Sequence, residues 1–144
     1  MLRGPVLLDA DFFISYLSGD LLFEHSKRVM GLILSGAVKP YASSEVYDDI
    51  ASALRSQGTS LEVVESFLRD VASIPHRAIP VTAEIAADAL RLYREYGGPR
   101  RLHYFDSFHV ALARERDLPL LTSDKYILRN ADRLGVRVIN LREI

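Results

Sequence analysis

The chain has 144 residues, 49% of them apolar, and a formal net charge of −1, which suits one compact domain with a buried core and excludes a uniformly basic surface that would hold nucleic acid by bulk charge. The lack of cysteine excludes disulfides, thiolate zinc sites and cysteine nucleophiles. No apolar run nears the roughly 20 residues that span a membrane, and Val6-Leu7-Leu8, followed at once by Asp9 and Asp11, is too short for a secretory leader, so a cytoplasmic protein without membrane contact is expected.

Pro5 to Leu8 is a short apolar run of the kind that forms a buried parallel strand. Asp11 to Leu17 reads as a short helix broken by Gly19-Asp20. Phe23 to Leu34 is a longer helix, with Val29, Ile33 and Leu34 on one face and Gly36 as its stop. Lys39 to Ala42 is a second strand, and Ser43 or Ser44 is a candidate N-cap for a helix through Leu54. After Gly58, Val64, Phe67, Leu68 and Val71 mark a helix from Leu61 to Val71. Ala78 to Val81 is a third strand, placed near an edge by Pro80. Thr82 opens a helix with Ile85, Ala89, Leu92 and Tyr93 in its stripe, and Gly97-Gly98-Pro99 ends it. A helix over Phe105–Glu115, a strand over Leu118–Thr122, a helix over Lys125–Leu134 stopped by Gly135, and a strand over Val136–Leu141 complete the chain. There is no repeat or linker, so residues 1–144 are expected to form one domain. The alternation of strands and helices predicts an α/β layered fold with a parallel sheet.

The acidic residues sit where such a sheet binds ligands. Asp9 follows the first strand and Asp124 follows the fourth, so both reach the carboxyl edge of the sheet. Asp106, at the start of the helix after Gly97-Gly98, can reach the same edge. Carboxylates gathered there repel unless a hard divalent cation joins them. Such an ion activates water and stabilises charge on a phosphoryl oxygen, which points to phosphodiester hydrolysis. The plainer reading of a single Asp after a strand is a turn or cap residue. Asp124 could simply cap the helix at Lys125, in competition with Thr122 and Ser123. A phospho-acceptor domain would also present an acidic pocket of this shape.

Three stretches resemble one known family. Leu7-Leu8-Asp9-Ala10-Asp11, followed by Phe12-Phe13-Ile14, resembles the opening motif of the PIN domain, in which an apolar strand, an Asp and a short apolar helix follow one another. The family usually has Thr or Ser where this chain has Asp11, an added carboxylate that could be a ligand, a water positioner or a cap. Tyr104 to Ala113 looks like the family's third-acid helix, and Leu120-Leu121-Thr122-Ser123-Asp124 like its fourth-acid strand end. The resemblance implies a three-layer α/β/α sandwich around a central parallel sheet of about five strands. It also implies a VapC-like ribonuclease dependent on Mg²⁺ or Mn²⁺, with Asp9, Asp106 and Asp124 as metal ligands. The family's second acid, a Glu in the helix after the second strand, corresponds to Asp49 when strand and helix start are aligned, with Glu45 one turn earlier as the alternative, while Asp48 points to solvent.

The same resemblance implies RNA as substrate, a product with a 5′-phosphate, a homodimer, and an antitoxin partner if the chain is the toxin of a toxin–antitoxin pair. An RNA-processing nuclease without an antitoxin, and a module that holds RNA or a partner without cutting, are the alternatives. Around the acids, Thr122 and Ser123 could orient Asp124 or contact a phosphate, and Arg100, Arg101 and Lys125 could meet the RNA backbone or simply be solvated. His103 and His109 suit Mg²⁺ less well than carboxylates do, and His109 is expected to pack or hydrogen-bond beside its helix.

Overall fold

The computed structural model describes residues 2–144. Five strands make one parallel sheet: β1 (Gly4–Leu8), β2 (Val38–Ser43), β3 (Arg77–Ile79), β4 (Leu120–Thr122) and β5 (Val138–Asn140), in the order β3-β2-β1-β4-β5. The helices are α1 (Ala10–Ser18), α2 (Phe23–Leu34), α3 (Val46–Ser56), α4 (Leu61–Ser73), α5 (Ala83–Tyr96), α6 (Tyr104–Arg116), α7 (Lys125–Arg129) and α8 (Ala131–Leu134), with a 3₁₀ turn over Leu141–Glu143.

The strand order explains the layers. From β1 the chain steps outward to β2 and β3, then returns past β1 to β4 and on to β5. Parallel crossovers keep one hand, so reversing the direction of travel moves the helices to the other face. Val6 and Leu8 pack with Val38, Ala42 and the helices α1 to α4. Leu7 and Leu120, pointing the opposite way, pack with α5, α6, α7 and α8. The expected α/β/α sandwich is present, with two cores separated by a sheet whose central strand is buried on both faces.

Most element bounds lie within two residues of the sequence expectation, and the exceptions have local causes. The predicted helix over Lys125–Leu134 is broken at Asn130, whose φ of −116° leaves the helical region and whose side-chain amide donates to the Tyr126 carbonyl at 2.9 Å. Neither Ser43 nor Ser44 caps α3, which starts later, at Val46, with no side-chain cap. Ser43 ends β2 and its hydroxyl accepts from the Glu45 N–H (3.0 Å), while the Ser44 hydroxyl accepts from the Val81 N–H (2.9 Å) and ties β2 to the segment after β3. Pro80 falls just beyond β3, which is an edge strand as its proline suggested.

Helix α6 is buried along most of its length, from Asp106 to Ala113. A helix enclosed on this scale ordinarily carries apolar residues all round, so Asp106 and His109 within it need polar partners. Its entry is set by the turn after α5. A Cβ added to Gly97 would lie 2.3 Å from the Tyr93 carbonyl oxygen and 2.4 Å from the Tyr93 ring, contacts no real side chain tolerates. Gly97→Ala must therefore shift the end of α5 and the loop leading to α6. It is expected to cost about 1–3 kcal/mol by urea unfolding; an unchanged midpoint would show that this turn yields freely.

Candidate metal centre

Four carboxylates meet at the carboxyl ends of β1 and β4, the adjacent strands on either side of the point where the chain reverses direction. Asp9 follows β1, Asp124 follows β4, Asp49 comes from the first turn of α3 and Asp106 from the first turn of α6. They line a cleft of about 210 Å³ together with Asp11, Ala10, Ile14 and Ser123. One ligand atom each from Asp9, Asp49, Asp106 and His109 lies within 4.8 Å of the others, and so does one each from His103, Asp106 and Asp124. Asp106 is common to both sets.

Each acid is held by a specific contact. Asp9 is 4% exposed; its Oδ1 accepts from the Ala10 N–H (2.7 Å) and its Oδ2 from the Thr122 hydroxyl (2.6 Å). The Thr122 hydroxyl oxygen in turn accepts from the Asp124 N–H (3.0 Å), so one side chain ties both strand ends together. Asp124 splits its work: Oδ1 caps α7 by accepting from the Ile127 N–H (2.9 Å), while Oδ2 faces His103 Nδ1 at 3.8 Å. The capping role and the place in the acid cluster are thus both filled. Ser123 turns to Asp11, donating to Oδ2 from its hydroxyl and from its backbone N–H (2.6 Å), so it orients Asp11 rather than Asp124.

The second-strand helix contributes Asp49, not Glu45, to the cleft. Glu45 is the residue before α3 and lines no part of the cleft, and Asp48 is exposed as its position on the helix suggested. Asp49 Oδ2 accepts from His109 Nε2 at 2.8 Å. His109 is fully buried, and its Nε2 also lies 3.9 Å from Asp9 Oδ1. A nitrogen that faces carboxylate oxygens carries the proton, so His109 serves as a donor holding Asp49. Its spacing of three residues from Asp106 puts both on one side of α6, the signal for this role in the sequence; the reach across to α3 is visible only in the fold.

The electrostatics record the crowding. Burial pushes the Asp9 carboxyl well above its usual range, and the neighbouring Asp11, Asp106 and Asp49 charges push it further. Burial raises Asp11 to about 6 against the Ser123 hydrogen bonds, and burial raises Asp106 against its contact with His103. His103 Nδ1 lies 3.4 Å from Asp106 Oδ2, and that contact raises the imidazole's pKa, so its positive form partly offsets the cluster. Asp11 Oδ1 is buried at the cleft without any hydrogen-bond partner. Hard oxygen donors, mutual repulsion and an unsatisfied carboxylate oxygen together fit a hard divalent cation.

Two expectations follow. Thr122→Val keeps the side-chain volume and removes both of its hydrogen bonds, so unfolding in EDTA should cost about 1–3 kcal/mol, most of it restored in Thr122→Ser; equal stability of the two variants would show that the hydroxyl is idle. The raised carboxyls also set a pH dependence. Their folded pKa values exceed those of the unfolded chain, so their contribution is fully present below about pH 4 and is lost as pH rises through the folded values, which for Asp11 is about 6. The metal-free melting temperature should therefore fall between about pH 4 and pH 7, and Asp11→Asn should flatten that fall; an equally steep fall in the variant would clear Asp11.

The chain was also compared with known proteins. No curated protein matches it significantly in sequence. Among solved structures it resembles a toxin–antitoxin complex from Klebsiella pneumoniae (TM-score 0.64, 19% identity, 96% of this chain and 99% of that chain covered). It also resembles VapBC2 from Rickettsia felis bound to a promoter DNA fragment (0.67, 13%, 94% and 98%). A third match is VapC20 from Mycobacterium tuberculosis, described as a sarcin–ricin loop cleaving toxin (0.61, 19%, 80% and 86%). At these identities the likeness is one of fold. The model of one sequence family, the PIN domain, matches residues 6–134, a span that begins in β1, ends with α8 and includes every carboxylate of the cleft: the chain belongs to the PIN domain family.

Proposed function

We propose that this protein is a metal-dependent endoribonuclease, with Asp9, Asp106 and Asp124 as ligands of a Mg²⁺ or Mn²⁺ ion and Asp49 as the fourth acid. The observation that carries this reading is the meeting of four carboxylates from four separate elements, each held by its own hydrogen bond or ion pair, at the sheet edge where α/β folds bind ligands. Membership of a family whose domains are generally nucleases supports it.

The ion, when bound, would supply an activated water and a positive charge beside the phosphoryl oxygens. The protein's own groups prepare that position. Thr122 aims Asp9 and fixes the backbone of Asp124, His109 aims Asp49, and the positive end of α6 favours the charged form of Asp106. A water in that position would attack the phosphorus in line, the P–O3′ bond would break with O3′ taking a proton from solvent, and the products would end in a 3′-hydroxyl and a 5′-phosphate. Asp11 lines the same cleft with one oxygen held by Ser123 and the other buried without a partner, a fifth carboxylate beside the ion's position.

The structural neighbours include complexes of a toxin with its antitoxin, which supports an antitoxin partner here; the accompanying reading of a cytoplasmic homodimer rests on the family resemblance alone. A small antitoxin reading frame beside the gene would fit this setting, and its absence would favour an RNA-processing nuclease.

Purified protein should cut a labelled single-stranded RNA in Mn²⁺ or Mg²⁺ and not in EDTA. Asp106→Asn and Asp49→Asn should each lose about 100-fold or more in rate, and Glu45→Gln should stay near wild type. Cleavage that persists in EDTA or in Asp106→Asn would sink the reading.

A further inference from the structure

Beside the acid cleft lies a second one of about 490 Å³ with the opposite charge. Arg100 and Arg101 enter it from the loop between α5 and α6, Lys125 and Arg129 from one face of α7, and Arg142 from the 3₁₀ turn after β5. All five are exposed, and among the described residues none is paired with a carboxylate. The chain as a whole carries 18 basic and 19 acidic residues, so five unpaired cations around one cleft are a local concentration, not a consequence of composition. Among the described residues, Asp124 is the only carboxylate on its wall, and it lines the acid cleft as well. No cation among the described residues lines the acid cleft itself.

Three details show that these side chains are placed. Arg142 Nη1 donates to the Ser123 carbonyl (2.6 Å), which anchors the guanidinium next to the residue between Thr122 and Asp124 and leaves its remaining N–H groups free. Arg101 is steadied in the same way by the Glu95 carbonyl (3.2 Å). Arg100 sits at φ 61°, a left-handed conformation that glycine adopts without strain and arginine does not. Tyr126 adds an aromatic side chain to the wall.

We infer that this cleft is the track for the single-stranded RNA backbone on one side of the scissile phosphate. The inference rests on the nuclease reading of the acid cleft. An RNA strand carries regularly spaced phosphates that continue from the basic cleft into the metal site, whereas an acidic peptide would meet only repulsion from the carboxylates there. The aromatic wall suits an unpaired base, which stacks on such a ring. Asp124 lines both clefts, so a strand seated on the cations reaches the acids at that residue.

Binding of a short dye-labelled oligouridylate in EDTA, followed by anisotropy across a salt series, tests this without any cleavage. The double variant Arg129→Glu/Arg142→Glu should bind about tenfold or more weakly, with the salt slope reduced by roughly one to two. Arg69→Glu, which places half of that charge change on α4, should leave the slope unchanged. Arg100→Gly should weaken binding about threefold without lowering the melting temperature, since glycine relieves the left-handed strain. Unchanged affinity and slope in the double variant, no binding by wild type at low salt, tighter binding of duplex than of single-stranded RNA, or displacement of the RNA by oligoglutamate of equal charge would each overturn the inference. Binding as expected in a protein that cuts no RNA with any metal would instead overturn the nuclease reading and leave a basic RNA track.

Discussion

Like charges do not gather by themselves, and in this protein the sheet forces them together. Asp9 and Asp124 terminate adjacent parallel strands, so their separation is set by the ladder between β1 and β4. Helices α3 and α6 then bring Asp49 and Asp106 to the same edge. Burial first, and the repulsion added to it, raises the carboxyls of Asp9, Asp11 and Asp106. Burial of apolar side chains on both faces of the sheet provides the stability against which this repulsion is held.

The hydrogen bonds around the acids convert that crowding into a defined geometry. Thr122 is central because its hydroxyl both donates and accepts, linking the Asp9 carboxylate to the Asp124 backbone. His109 does the equivalent work across the interior, joining α6 to α3 through Asp49. A buried imidazole in the middle of an enclosed helix would be costly without such a partner, so the packing of α6 and the aim of Asp49 depend on one contact. Ser123 and Arg142 extend the same order outward, from Asp11 to the C-terminal turn.

The molecule's near-zero net charge conceals a separation of sign. Five carboxylates line one cleft and five unpaired cations the next, with Asp124 and His103 on the boundary. Electrostatic complementarity of this kind selects orientation more than it adds affinity. A polyanion can lie with one phosphate at the acids only if a cation fills the acid cleft, while its neighbouring phosphates are favoured by the adjoining basic cleft.

Much of this was legible in the chain. Short apolar runs, glycine stops and helical stripes marked all five strands, because local periodicity reports which face is buried. Asp9 and Asp124 stood out because they directly follow strands, and Asp106 because it begins a helix near the same edge. The sequence also marked Asp49 and Glu45 as candidates, one turn apart. Alignment with the family pattern favoured Asp49, and the rotation of α3 against α6, which local spacing does not carry, is what holds Asp49 in the cleft through His109. The break at Asn130 was hidden because the apolar stripe continues through it. Arg129 shares a helix face with Lys125 and was within reach of local spacing, but Arg142 comes to the basic cleft only because β5 pairs with β4. What the sequence determined by itself were the properties carried by neighbours along the chain: element type, caps and the acids at element ends. The adjacency of β1 and β4, the Asp49–His109 pair and the five-cation cleft were decided by tertiary structure alone, because strand order and helix rotation depend on contacts between residues far apart in sequence.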